Sequence, residues 1–303
     1  MKKVFLFGLI AIGLIAVGLT VDHGDALALD QNGCLDCHSN PDLFKTNENG
    51  DRISLYVQQA EVDKSAHRFI DCTTCHTTNP HQVDTPLNKL SLAEKCGTCH
   101  EYQLELYETS IHGEVVLGGD QEAATCVDCH SDDSNPHSVI RVLEAGAPTY
   151  KKNIAQTCAK CHDNEELMAS YGIVERVYES YMTSFHGKAL ELSSYEVSQL
   201  DKATCTNCHG AHDIKAVTDP NSPVAGLENL VKTCDQVGCH PGADVEFAAG
   251  FLGHKEASPE NIPVAHYAEI IFQILLYAVL GFGAIVVLLA IIRYSLNHWR
   301  SES

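Results

Sequence analysis

The chain has 303 residues, a length for one or two domains, and its 45% apolar and 20% charged side chains exclude a disordered polymer. A net charge of −20 excludes a nucleic-acid binder, whose phosphate contacts need Lys and Arg. Fourteen Cys and 17 His, against 9 Phe, 11 Tyr and 1 Trp, point away from an ordinary cytosolic enzyme and toward covalent or metal chemistry.

In chain order, Lys2 and Lys3 precede an apolar run from Val4 to Val21, and Ala26-Leu27-Ala28 offers a small-residue cleavage site. Residues 1–28 therefore read as a secretory signal peptide. The alternative is an uncleaved anchor helix, for which a run of 18 residues is at the short limit.

The Cys then fall in seven pairs. Six are C-x-x-C-H: Cys34/Cys37/His38, Cys72/Cys75/His76, Cys96/Cys99/His100, Cys126/Cys129/His130, Cys158/Cys161/His162 and Cys205/Cys208/His209. The seventh, Cys234/Cys239/His240, has four residues between its Cys. This is the spacing of c-type haem attachment. Two thiols add to the haem vinyl groups, and the adjacent His reaches the iron from the same side. Seven covalent haems c are expected. Zinc has no reason to place a His after every second Cys. Disulfides suit an exported chain but leave the trailing His unexplained. For the wide seventh pair, a Cys234–Cys239 disulfide stays open.

Ten His remain after the seven proximal ones. His23 lies in the signal and His298 beyond the C-terminal span, which leaves His67, His81, His112, His137, His186, His212, His254 and His266. After Met1 the only Met are Met168 and Met182. Second axial ligands are therefore expected from His67, His81, His112, His137, His186, His212 and His254, with His266 as the alternative to His254. Met ligation raises the potential, so its scarcity predicts a low-potential, bis-His chain. His81 follows His76 by five residues and His212 follows His209 by three. At about 3.6 Å per residue these reach roughly 18 and 11 Å, too little to round a porphyrin. Both should ligate a neighbouring haem.

The motifs alternate in kind. Those at Cys34, Cys96, Cys158 and Cys234 follow short helix-like approaches. Those at Cys72, Cys126 and Cys205 are preceded by Ser65-x-His67, Ser110-x-His112 and Ser184-x-His186, and followed by His81, His137 and His212. Three di-haem units thus begin at Cys34, Cys96 and Cys158, each 62 residues after the last, and a half unit begins at Cys234. His254 or His266 must complete that half unit, and His254 has more slack to fold back.

Ser91-Leu92-Ala93-Glu94 reads as a capping box opening a helix through Cys96 to about Ser110. Leu167, Tyr171, Val174, Tyr178, Tyr181 and Phe185 follow helical spacing over 164–189, a face to pack on haem. The fold class expected is mainly α and irregular, packed on haem, with little β structure and one C-terminal transmembrane helix.

Ile270 to Ile292 holds one polar side chain, Gln273, over 23 residues, roughly 35 Å at 1.5 Å rise and enough to span a bilayer. Arg293 and Arg300 beyond it place the C-terminus in the cytoplasm, with Tyr294 and Trp299 at headgroup level. The expected organisation is a haem domain over 29–253, a juxtamembrane linker over 254–269, the span over 270–292 and a cytoplasmic tail over 293–303. Setting aside four basic and three acidic residues in the two ends leaves 16 Lys+Arg against 37 Asp+Glu, a net of −21 for the exported part.

Through these motifs the chain resembles the multihaem c-type cytochromes with bis-His haems over about residues 30–245. Ser110–Gly113, Ser184–Gly187 and Cys205-Thr-Asn-Cys-His-Gly-Ala-His212 carry the likeness. From Cys205 through Asp219-Pro220, Cys239-His-Pro241 and the C-terminal helix, it resembles the multihaem subunit of bacterial membrane cytochrome b/c complexes. Resemblance to the small four-haem quinol dehydrogenases is weaker, because their anchor is N-terminal. The resemblance implies electron transfer between the quinone pool and periplasmic c-type cytochromes. The haem domain would lie on the periplasmic side of a bacterial inner membrane. One helix cannot enclose a quinone pocket, so a membrane partner of cytochrome b type, or another quinone-reactive subunit, is expected. Ala278, Gly281, Gly283 and Ala284 would let a helix approach. The competing reading is a multihaem reductase or oxidase of a small nitrogen compound, which needs an iron with an open position.

Overall fold

Helices here are short because the sequence keeps stopping them with caps, glycines and motif turns. A computed structural model describes residues 33–47, 49–76, 81, 88–173, 176–193, 202–251, 253–255, 257–260 and 262–302. The expected signal peptide lies outside them. The rest is mainly helical, with one two-stranded sheet. The helices are α1 (Cys34–His38), α2 (Gln59–Lys64), α3 (Cys72–Cys75), α4 (Lys89–Gly97), α5 (Glu101–Glu108), α6 (Ile111–Leu117), α7 (Cys126–His130), α8 (Ile154–His162), α9 (Glu165–Ser170), α10 (Val177–Thr183), α11 (Phe185–Glu191), α12 (Cys205–His209), α13 (Gly226–Cys234), α14 (Val245–Ala249) and α15 (Pro263–Glu302). The chain divides into two compact units between Thr85 and Pro86.

In the first unit, β1 (Phe44–Thr46) pairs antiparallel with β2 (Arg52–Ser54). Asn47 and Asp51 close the hairpin, with the Asp51 N–H donating to Asn47 Oδ1 at 2.7 Å, and Gly50 supplies φ 88°. The Arg52 guanidinium lies 3.6 Å from the Phe44 ring centre. Among the unit's described residues only Ser65 is buried. It has no apolar core of its own.

The second unit has a thin core. Its buried apolar residues are mostly small: Ala93, Val116, Ala123, Val127, Ala147, Ala155, Met168, Leu190 and Ala248. Cross-links join its segments: Ile111 N–H donates to Ile214 O at 2.7 Å, Lys160 Nζ to Asp132 O at 3.0 Å and Tyr171 OH to Asp120 Oδ2 at 2.9 Å.

Two expected helices differ. The box at Ser91 is one turn further in than the true start. Asn88 is the cap: its Oδ1 accepts from Ser91 N–H at 2.8 Å, and Ser91 Oγ accepts from Asn88 N–H at 3.1 Å. This helix stops at Gly97, because His100 (φ −107°, ψ 48°) leaves helical geometry before α5 begins. The aromatic stripe over 164–189 is divided among α9, α10 and α11. Gly172 at φ 76° ends the first, and Ser184 caps a fresh start for the last. Phe185 is 95% exposed, so it faces out of the polypeptide, and Val174 lies outside the described residues.

The last helix, α15, has 40 residues, roughly 60 Å at 1.5 Å rise. It contains one stretch long and apolar enough to cross a membrane, Pro263–Trp299, none of it buried in the protein. The stretch expected as linker over 254–269 is thus helical from Pro263. Pro is preset for the first helical position, and His266 N–H already donates to Ile262 O at 3.1 Å.

Candidate haem-binding site

Helical spacing explains the motif. Cys126, Cys129 and His130 stand at i, i+3 and i+4 on α7, so two thiols and an imidazole share one face. The same holds for Cys158, Cys161 and His162 at the end of α8, and for Cys205, Cys208 and His209 on α12. Thr125 and Thr204 cap these second-kind motifs. The Thr125 N–H donates to Asp128 Oδ2 at 2.7 Å, and the Thr204 N–H to Asn207 Oδ1 at 2.9 Å.

Cys37 and Cys99 are exposed, whereas their motif partners Cys34 and Cys96 are half-buried. Cys37 lies on α1, a helix with no buried residue in a unit without an apolar core. Cys99 lies past the end of α4, in the turn that opens after Gly97, where its sulfur meets the Thr98 hydroxyl at 4.0 Å. Neither is drawn into the thiol neighbourhoods that Cys34 and Cys96 join. Cys75 and Cys239, also second in their motifs, are exposed in the same way, while Cys129, Cys161 and Cys208 are half-buried between helices of the second unit.

The wide seventh motif reaches the same closure by another route. In the narrow motifs, the His N–H donates to the first Cys carbonyl: His76 to Cys72 at 2.8 Å and His100 to Cys96 at 3.0 Å. His240 N–H donates to Cys234 O at 3.0 Å. The two extra residues are looped out, with Gly238 at φ 89° and Val237 99% exposed. Cys234 and Cys239 are both free thiols, as are the other twelve Cys.

The free His come from distant segments. Ring centroids stand 6.3 Å apart for His38 and His81, 6.2 Å for His112 and His162, and 6.1 Å for His130 with His212, His186 with His240 and His209 with His254. Two imidazoles on opposite sides of one metal, each at about 2.0–2.1 Å with its ring centre roughly 1.1 Å further out, stand about 6.3 Å apart. Ordinary ring contacts scatter over about 4.5–7 Å. Five pairs at one value fit a shared metal. His81 and His212 thus lie against His38 and His130, not against the motif His just before them. The expectation that His254 completes the half unit at Cys234 is corrected. His254 faces His209, and His186, far upstream on α11, faces His240. Of the other four, His67 follows the buried Ser65, accepting through its Oγ from His67 N–H at 3.2 Å. His137 sits in a three-residue 3-10 turn, Pro136–Ser138, with its N–H on Asn135 Oδ1 at 3.0 Å. His76 caps the end of α3 and His100 precedes α5.

Tautomers are set by partners. His38 Nδ1 lies 2.6 Å from Leu55 O, a pure acceptor, so Nδ1 carries the proton and Nε2 keeps its lone pair. His254 Nδ1 lies 3.1 Å from Ser180 Oγ, whose hydrogen already goes to Val177 O at 2.9 Å. His254 must then donate from Nδ1, again freeing Nε2. Burial, and next the neighbouring His162, push the His112 imidazole down to about 4. Burial first also lowers His162, His186 and His209. All four rings are held toward the neutral form that binds metal.

Ser-x-His-Gly is a local device. Ser110 caps α6, accepting from Gly113 N–H at 3.0 Å and donating to Tyr107 O at 2.6 Å. Ser184 repeats this with Gly187 at 3.3 Å and Tyr181 at 2.6 Å. A Cβ on Gly113 would stand 1.9 Å from Tyr107 O, and one on Gly187 2.1 Å from Tyr181 O. In the first unit Arg68 stands where that Gly would be, and no helix follows Ser65. Removing the cap by Ser110→Ala should cost about 1 kcal/mol, read by thermal unfolding.

From the sequence, Tyr107 is unassigned and Tyr181 is placed only in an apolar face. Tyr107 OH donates to Ala124 O at 3.0 Å and Tyr181 OH to Ala203 O at 2.9 Å, tying each Ser-x-His approach to the residues before Cys126 and Cys205. Burial pushes Tyr107 up to about 12 and raises Tyr181 further. The repeated Tyr-x-x-Ser-x-His-Gly and Ala-Thr-Cys were the available signal.

Within each unit the motifs neighbour one another in chain order. Cys126 is held down to about 7, first by a hydrogen bond from Cys96. Cys158 donates a hydrogen bond to Cys205, and in the first unit Cys72 donates one to Cys34. The charges of Cys161 and Cys234 are felt at Cys129 and Cys208, respectively. An apolar cleft lined by Cys158, His162, Val177, Tyr178, Tyr181 and Cys205 holds His162 Nδ1 buried without a hydrogen-bond partner.

Among known families, the model described as cytochrome c7 and related cytochrome c matches residues 19–104. This stretch carries the motifs at Cys34, Cys72 and Cys96. The match implies covalent haem c and electron transfer by a multihaem cytochrome. No curated protein and no solved structure matches the chain.

Proposed function

We propose that this is a membrane-anchored heptahaem c-type cytochrome. It would carry electrons between the quinone pool, reached through a membrane partner, and periplasmic redox carriers. The observation that carries the reading is the set of five His pairs at 6.1–6.3 Å, each joining a motif His to a free His. The proposed axial pairs are His38 with His81, His130 with His212, His162 with His112, His209 with His254 and His240 with His186. His76 and His100 would be proximal ligands of the haems at Cys72/Cys75 and Cys96/Cys99, with His67 and His137 as the two remaining second ligands. The exposed thiols of Cys37 and Cys99 would be covered by the haems they tether.

Neighbouring motifs in chain order support haem-to-haem transfer within each unit. The protein supplies ligation, spacing and burial, and the haem iron carries the electron. The C-terminal helix would anchor the chain in a bacterial inner membrane with the haems on the periplasmic side. It would also present the surface for a cytochrome b-type or other quinone-reactive subunit.

Intact mass and iron content should show seven haems per exported chain, and electron paramagnetic resonance should show all of them low-spin. Six haems would remove the seventh motif from the reading. One high-spin haem per chain in the wild type would turn it toward catalysis on a small nitrogen compound. Purification in mild detergent should bring down a quinone-reactive membrane subunit, and a chain that purifies alone from intact membranes would count against the partner.

A further inference from the structure

The motifs at Cys126 and Cys205 are built alike in almost every respect. Each has a Thr N-cap, a five-residue helix ending in His, a Tyr hydroxyl on the carbonyl two residues before the first Cys and a Ser-x-His-Gly approach. They differ at the residue before the second Cys. Asp128 accepts from the Thr125 N–H where Asn207 accepts from the Thr204 N–H. The chain answers Asp128 with a cation. Lys89, the first residue of α4, places Nζ 3.1 Å from Asp128 Oδ2, 2.7 Å from Ala123 O and 3.4 Å from Glu122 O. Its three donors are all used. The two side chains are only 24% and 19% exposed, so water screens the pair weakly.

We propose that Asp128 and Lys89 act as opposed charges on the reduction potential of the haem tethered by Cys126 and Cys129, the carboxylate lowering it and the ammonium raising it. The inference rests on the reading that both motifs hold haem. Reduction adds one electron to the iron and removes one unit of positive charge from the site. A carboxylate within the motif favours the ferric form. An ammonium beside it offsets that preference. Asp128 is held between the two tethering Cys, while Lys89 reaches in from another helix, so the two charges can be removed separately.

The test is a spectroscopic redox titration of the full-length protein with its haems attached. Asp128→Asn keeps the cap, as Asn207 does in the same chain, and leaves Lys89 uncompensated. It should raise one haem's potential by at least tenfold in the one-electron equilibrium, about 59 mV. Lys89→Met should lower the same haem's potential by a similar factor, and the double variant should fall between the singles. Asn207→Asp, which adds a carboxylate to the counterpart motif, should lower the potential of the haem at Cys205. Unchanged titrations, or singles that move in the same direction, would overturn the proposal. Should Asp128→Asn lose its haem, recognised by peptide mass, Asn207→Asp decides, and an unmoved potential there overturns the proposal. A wild-type Cys126 peptide without haem would remove the haem reading itself, and the inference with it.

Discussion

Replacing His254 with Ala should turn one haem high-spin, and that haem should be the one at Cys205 and Cys208, not the last in the chain. His254 stands 6.1 Å from His209, ring centre to ring centre, with the planes 19° apart. Ser180 holds its Nδ1, which leaves Nε2 as the ligand atom. With Ala at 254 that ligand is lost, and the haem should become high-spin. His186→Ala should do the same to the haem at Cys234 and Cys239. The two are separated in a background lacking the last haem, made by Cys234→Ala with Cys239→Ala. There His254→Ala should still give a high-spin signal and His186→Ala should not. If the His254→Ala signal disappears in that background, the pairing is wrong. Ser180→Ala should weaken ligation without abolishing it, since loss of a partner that orients a ligand typically costs about 10–100-fold in metal affinity.

Ala at Gly113 or Gly187 should be among the most damaging single substitutions in the chain. The added Cβ would stand 1.9 or 2.1 Å from a backbone carbonyl, which cannot swing aside as a side chain can. The helix that begins at the Ser cap must move, and the His one residue before the Gly moves with it. We expect a loss of about 3 kcal/mol, the upper end for overpacking, or roughly 6–12 °C in melting temperature. The displaced His should also leave a fraction of one haem high-spin, at Cys158 for Gly113→Ala and at Cys234 for Gly187→Ala. Gly146→Ala is the control, because a Cβ there meets nothing within 4 Å. Equal melting temperatures for all three variants would refute the close-approach argument.

Much of this site was legible because covalent chemistry leaves a local mark. A Cys-x-x-Cys-His run means the same thing wherever the chain goes, and the reach of His81 and His212 could be judged from a few residues of backbone. What surrounds each thiol was not legible: Cys37 and Cys99 carry the same motif as Cys129 and Cys161, yet only the latter two lie where other helices close around them. Pairing at longer range was not legible either. His254 is the first non-motif His after His240, yet it faces His209, with the helix α14 between His240 and His254 in the chain. Helix limits failed for a similar reason. Ser91 and the aromatic run at 167–185 have the right local pattern, but Asn88 captures the cap and Gly172 breaks the run. The Tyr107 and Tyr181 anchors show in the sequence only as a repeat, which reads as apolar packing.

The proposed pairs overlap along the chain: 112 with 162, 130 with 212, 186 with 240 and 209 with 254. If the chain is exported amino end first, as proposed, this interleaving would impose a timetable on assembly. When the motif at Cys158 emerges, His112 is already outside and waiting. The haem at Cys126 must wait, half-ligated, until the third unit has followed it out. The haem at Cys205 would be completed last, by a His that arrives only shortly before the C-terminal helix. On this reading, completion of the cofactor set and arrest of export would become one event. A chain released before its anchor would carry every tethering Cys and still leave one iron unfinished.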